Sequence, residues 1–160
     1  MLKWLWLSVV IIAVDQYTKY VAVSELTFHV PQEVMPSFNW FLAYNTGAAF
    51  SFLSEAGGWQ RWFFIGLAIF VTVVIIAWLK KLPKDQHWLA SALAMILGGA
   101  IGNAIDRGLQ GYVVDFIQIY YQTFYWPSFN IADSAIVVGA AILIIDGLFS
   151  MRSDKTAKVN

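Results

Sequence analysis

Asp15, Lys19, Asn103, Asp106, Asp115, Asn130 and Asp133 are the residues whose types and spacing could do chemistry in this sequence. Two aspartates held close together in a low dielectric cannot both ionise cheaply, so they share a proton. The ionised member can then take a proton from water while the protonated member donates to a scissile carbonyl. Asp115 and Asp133 form the best such pair: one lies in an extended stretch, the other opens an apolar run, and 17 residues between them can fold back. Other chemistries lack their parts. There is no cysteine, hence no disulfide scaffold, thiol nucleophile, iron–sulfur cluster or cysteine-bound zinc. His29 and His87 stand apart, and no metal or cofactor site is expected. A His-Glu-x-x-His zinc helix, a Gly-x-Ser-x-Gly elbow and a Walker phosphate loop are all absent. A Ser–Lys dyad built on Lys19 would find only Ser134, beside Asp133, as a weak partner.

Each of these residues also has a structural reading. Lys19 lies four residues after Asp15, on the same helix face, so the two can neutralise each other; Lys19 could instead snorkel to the outer headgroups. Asp106 adjoins Arg107 and either caps the end of its helix or joins the site. Asn130 and Asp133 have the spacing of an N-cap and its capping-box partner. Gly98, Gly99 and Gly102 have the spacing that lets membrane helices approach closely. Asp146, near the other membrane face, reads as structural. Asn45-Thr46-Gly47-Ala48-Ala49-Phe50 is either an ordinary loop or a turn that offers amide groups to a peptide backbone.

The elements that must position these residues follow from composition. The 160 residues are 59% apolar and 12% charged with a formal net charge of zero, against about 25% charged for an average soluble domain. That balance excludes a disordered chain and a nucleic-acid binder working by phosphate neutralisation. A helix needs about 20 apolar residues to cross a bilayer, and four stretches qualify: about Trp4–Val23, Trp59–Leu79, Trp88–Ile105 and Asn130–Phe149. Lys3, Lys80, Lys81, Lys84, Arg152, Lys155 and Lys158 fall on one side of such a bundle. The segment 24–58 has no Lys or Arg, and 106–129 has Arg107 alone. The Lys/Arg excess marks the cytoplasmic side, which predicts cytoplasmic termini and two extracytoplasmic segments, 24–58 and 106–129. Trp4, Trp6, Trp78 and Trp88 would mark the inner interface, and Trp40, Trp59, Trp62 and Trp126 the outer one. Lys3, Trp4–Val14 and Ala22-Val23-Ser24 imitate a cleavable signal sequence, but Asp15 and Lys19 interrupt it, so this span reads as retained.

The outer segments carry β-formers and turn residues at 27–44 and 112–121, which predicts short strands and a small β-rich sheet on the membrane surface. The expectation is one α-helical integral membrane unit over residues 1–160, with four transmembrane helices and its polar residues in one outward layer. A proton-linked transporter would instead spread carboxylates through the membrane depth, with access from both sides. A non-catalytic scaffold would tolerate Asp→Asn at 115 and 133, since Asn caps nearly as well as Asp.

Five motifs in order sharpen this reading: Asp15-Gln16-Tyr17-Thr18-Lys19, Asn45 to Phe50, Gly98-Gly99-Ala100-Ile101-Gly102-Asn103-Ala104-Ile105-Asp106-Arg107, Val113-Val114-Asp115-Phe116, and Phe129-Asn130-Ile131-Ala132-Asp133-Ser134. With them the chain resembles the bacterial lipoprotein signal peptidases, or signal peptidase II, over nearly its whole length and with no departure from the pattern. The resemblance implies an intramembrane aspartic endopeptidase with Asp115 and Asp133 as catalytic dyad. It implies that Asp15, Asn45, Asn103, Arg107 and Asn130 shape the site or hold substrate backbone. It also implies a diacylglyceryl-modified prolipoprotein substrate cut before the lipidated cysteine, inhibition by the cyclic depsipeptide globomycin, and an inner-membrane, multi-pass enzyme acting near the outer leaflet. Membrane lipid is then the surrounding partner, no nucleic acid is involved, and a monomer is expected. Trp40, Phe41, Tyr44, Trp59 and Trp126 could cradle substrate or anchor at the interface, and residues 51–61 could cover it.

Overall fold

The computed structural model describes residues 1–47 and 58–157, with side chains described as far as residue 149. A 3-10 turn at Leu2–Trp4 leads into α1 (Leu5–Glu25), followed by β1 (Gln32–Met35), β2 (Phe38–Asn45), α2 (Trp59–Lys81), α3 (His87–Gln110), β3 (Val113–Tyr121), β4 (Phe124–Tyr125) and α4 (Ile131–Ala157). Among the described residues four helical stretches are long and apolar enough to cross a membrane: Leu2–Glu25, Trp59–Lys81, His87–Gln110 and Ile131–Phe149. The 19 residues Ile131–Phe149 of α4 by themselves reach about 28 Å at 1.5 Å per residue. Their outward faces are apolar and uncovered: Trp62, Phe70 and Val73 on α2 and Val137 and Ile144 on α4 are each more than 60% exposed. Side chains of that kind are stable in hydrocarbon rather than water.

The third helix is the axis, packing against α1, α2 and α4. Its small residues explain why three neighbours fit. A Cβ at Gly98 would lie 2.9 Å from the Ile11 Cβ of α1. At Gly99 it would strike the Ala132 carbonyl of α4 and lie 2.7 Å from Ile136. The glycine stripe is therefore a packing surface, as its spacing predicts. At the end away from the sheet, Ile75, Leu79 and Leu82 close a core with Ala90, Leu93 and Leu97. There the Met1 ammonium donates to the Leu79 carbonyl at 2.9 Å, satisfying a group left open at the end of α2.

The strands form one antiparallel sheet in the order β1-β2-β3-β4; β1 to β3 come from the two segments expected to be extended, and β4 lies beyond the second of them. A bulge in β2 between Trp40 and Ala43 shifts the β2–β3 register, leaving Asp115 opposite Ala43. Beyond β3, Phe129 returns alongside: its N–H donates to the Ile117 carbonyl at 3.0 Å, and its carbonyl accepts from Ile117 at 2.9 Å. That return brings the start of α4 beside Asp115. Two boundaries differ from expectation: the fourth span, predicted to end at Phe149, runs on as helix to Ala157, and the third also overruns. The third span, predicted to end at Ile105, continues as helix to Gln110, so Asp106 and Arg107 are helical rather than part of the following connection. The stop comes at Gly111, whose φ of 88° suits glycine and whose N–H caps the Arg107 carbonyl.

Candidate active site

The site is assembled around the first turn of α4. Asn130 is its N-cap: its Oδ1 accepts from the Asp133 N–H at 2.9 Å, and Asp133 Oδ2 accepts in return from the Asn130 N–H at 3.3 Å. This reciprocal pair is the predicted capping box. Capping uses only one end of the Asn130 amide. Its Nδ2 donates to Asp115 Oδ1 at 2.7 Å, with Val114 O and Asn103 Oδ1 each at 3.2 Å. Asn130 is fully buried, so one side chain fixes the helix start and the β3 carboxylate together.

Each aspartate has a second asparagine. Asn103 Nδ2 donates to Asp133 Oδ1 at 2.7 Å, and Asn45 Nδ2 donates to Asp115 Oδ2 at 3.1 Å. Asn45 Oδ1 in turn accepts from the Gly47 N–H at 3.0 Å, which sets the amide's orientation. Burial, and next the nearby Asp133 charge, push Asp115 from 3.8 up to about 7; the bonds from Asn45 and Asn130 and the Lys19 charge pull it back.

Beneath the two aspartates lies a buried ionic layer. Lys19 Nζ is 2.8 Å from Asp15 Oδ2 and 2.8 Å from Asp106 Oδ2. Lys19 is only 3% exposed, so it pairs inside the bundle and does not snorkel; two carboxylates within reach offset its desolvation. Asp15 Oδ1 accepts from the Ala132 N–H at 2.9 Å, satisfying another open donor of α4. Asp106 does not cap α3. Its Oδ2 accepts from the Val114 N–H at 3.1 Å, and its Oδ1 from Gln16 Nε2 at 2.8 Å. Arg107 makes no ion pair within 4 Å among the described residues; its Nη2 donates to the Gly47 carbonyl at 2.7 Å and its guanidinium lies 4.7 Å from the centre of the Phe64 ring.

The structure thus brings together Asp15, Asn45, Asn103, Arg107, Asp115, Asn130 and Asp133. Gln16 and Gly102 belong with them without having been singled out for it. A Cβ at Gly102 would lie 2.7 Å from Asp15 Oδ2, so glycine there leaves room for a carboxylate as well as a helix. The only signal for Gln16 was its place between Asp15 and Lys19. A cleft of about 260 Å³ between α2, α3 and α4 reaches Asn103 and Arg107, lined otherwise by apolar side chains such as Phe64, Ala100 and Ile136. Ala48, Ala49 and Phe50 of the Asn45 motif, and residues 51–57 of the segment expected to cover the site, lie outside the described residues.

Four apolar helices beneath an antiparallel sheet, with acidic and amide side chains gathered where they meet, define a polytopic membrane protein with a buried polar site. Two solved bacterial membrane enzymes share the fold. One, at 2.3 Å resolution, has a TM-score of 0.82 and 30% identity, covering 94% of this chain and 90% of its own. The other, at 1.9 Å, has a TM-score of 0.75 and 31% identity, covering 92% and 94%. Residues 7–149 match the family model for signal peptidase II, and the chain belongs to that peptidase family. The lipoprotein signal peptidase of Acinetobacter baylyi is 54% identical over 92% of this chain and 83% of its own length. That of Pseudomonas syringae pv. tomato is 51% identical over 97% and 91%.

Proposed function

We propose that this protein removes signal peptides from diacylglyceryl-modified prolipoproteins, cutting before the lipidated cysteine, with Asp115 and Asp133 as an aspartic dyad. The observation that carries the reading is the pair of carboxylates on β3 and the first turn of α4, linked through the Asn130 amide and backbone. The pair holds one proton between them. The ionised member takes a proton from water as the water oxygen attacks the scissile carbonyl carbon, and the protonated member donates to the carbonyl oxygen. When the C–N bond breaks, the leaving amine takes the proton held by the dyad, and a hydroxyl of the tetrahedral intermediate gives its own proton to the ionised carboxylate as the new carboxyl group forms, so the dyad again holds one proton. Asn45, Asn103 and Asn130 keep the carboxylates in register through this cycle. Arg107 holds the Asn45-Thr46-Gly47 turn through the Gly47 carbonyl, and Asp15 holds the first turn of α4.

The membrane placement follows from charge. With the seven basic residues named above inside, the sheet and dyad lie at the outer leaflet of the bacterial inner membrane, where the end of a signal-peptide helix emerges. The bilayer holds the substrate's acyl chains, and the apolar cleft between α2 and α4 gives the signal peptide a lateral approach. A globomycin-type cyclic depsipeptide competes for the same site, and the enzyme acts as a monomer. The test is cleavage by purified protein of one prolipoprotein with and without its diacylglyceryl group. The expected result is a mature product beginning at the modified cysteine, formed from the lipidated substrate and blocked by globomycin. Equal cleavage of both forms, or a cut elsewhere, would overturn the assignment.

A further inference from the structure

Lys19 makes three bonds, and each leads to the dyad. Besides Asp15 and Asp106, its ammonium donates to Asn103 Oδ1 at 2.9 Å, so its three hydrogens have three acceptors. Asn103 holds the Asp133 carboxylate, Asp15 holds the backbone next to Asp133, and Asp106 holds the backbone next to Asp115. We propose that Lys19 is a positioning residue for the reaction: it fixes the Asn103 amide against Asp133 and ties the two segments that carry the dyad to one point. The inference rests on the reading of Asp115 and Asp133 given above.

The chemistry at Asn103 is directional. An ammonium can only donate, so Asn103 must turn Oδ1 towards Lys19, and its Nδ2 then faces Asp133. Turned over, the amide would set N–H against the ammonium and a carbonyl oxygen against the carboxylate, two repulsive contacts in a low dielectric. Without the ammonium that preference is weakened, because only the Asp133 carboxylate and the longer bond from Asn130 Nδ2, at 3.2 Å, are left to orient the amide. The ionic layer also acts at a distance. Asp115 is faced by Asp133 and Asn130 from α4, Asn45 from β2, and the charges of Lys19 on α1 and Arg107 on α3. Asp15 and Asp106 stand around Lys19.

The test compares Lys19→Met and the pair Lys19→Met/Asp106→Asn with wild type and Asp133→Asn, in cleavage of the lipidated prolipoprotein per folded enzyme. Removing a cation and an anion together leaves less uncompensated charge than the single change, so the pair is the variant expected to fold if the single one does not. In either variant kcat is expected to fall about tenfold to a hundredfold, the effect of a misplaced catalytic group, with KM within about threefold. In Lys19→Met the high-pH fall of kcat/KM also moves upward, because a charge that holds Asp115 down is gone. A folded variant with wild-type kcat overturns the proposal, and so does failure of both to fold, which would make Lys19 a support of the scaffold alone. An active Asp133→Asn would instead defeat the dyad reading, so the two failures are distinct.

Discussion

Burial and Asp133 push Asp115 from 3.8 to about 7, so its proton is held through a range in which an ordinary aspartate is ionised. A dyad that needs one shared proton then loses activity as pH rises through about 7. Initial rates at low substrate should show kcat/KM falling across that limb; a profile flat to pH 9 would contradict it. The same shift bears on stability. A carboxyl whose folded pKa is raised binds its proton more tightly in the folded state, so its contribution is complete below about 3.8 and is lost as pH climbs through about 7. Asp115→Asn removes that loss. Its melting temperature in detergent, relative to wild type, should gain from pH 4 to pH 8, and a constant offset would refute the linkage. At this scale the sequence made Asp115, Asp133 and the Asn130 cap legible because residue type and three-residue spacing carry them. It left Lys19 open between a pair and a snorkel, and Asp106 between a cap and a site residue. Spacing along one helix does not give that helix's rotation against its neighbours, and the Lys19–Asn103 and Asp106–Val114 bonds depend on it.

The helices were legible from length and hydropathy to within a few residues at the start of every span. The ends of α3 and α4 were not: hydropathy drops at Asp106 while backbone hydrogen bonding runs on to the Gly111 cap, and α4 likewise continues past Phe149 to Ala157. The glycine stripe was legible as small-residue spacing, but which neighbour each glycine meets required the packed bundle. Gly99→Ala would drive a methyl into the Ala132 carbonyl, at the turn that carries Asp133. Overpacking of this kind costs about 1–3 kcal/mol, so a lowered melting temperature and reduced cleavage are both expected. Gly66→Ala on α2 is the control, since nothing lies within 4 Å of its added Cβ. Equal effects of the two substitutions would contradict the α3–α4 contact. The strands were legible as segments, yet the bulge at Trp40–Ala43, which fixes the register of Asp115, left no mark in composition.

At the scale of the whole molecule, orientation rests on the Lys/Arg bias and predicts which loops face out. The chain has no cysteine, so single cysteines introduced at Glu33 and at Lys84 report without background. An impermeant thiol reagent added to intact cells should label the first and spare the second until the membrane is opened; the reverse pattern would invert the topology. The assembled bundle and sheet bring residues 115 and 133, from β3 and α4, to one place, and that convergence is the centre of the account. Its most direct test is cleavage of a diacylglyceryl-modified prolipoprotein by wild type, Asp115→Asn and Asp133→Asn, each shown to be folded. The account predicts that wild type cuts and neither variant does, because an amide of the same shape can cap a helix but cannot share the proton. Near wild-type cleavage by either variant would make that aspartate structural and the dyad wrong.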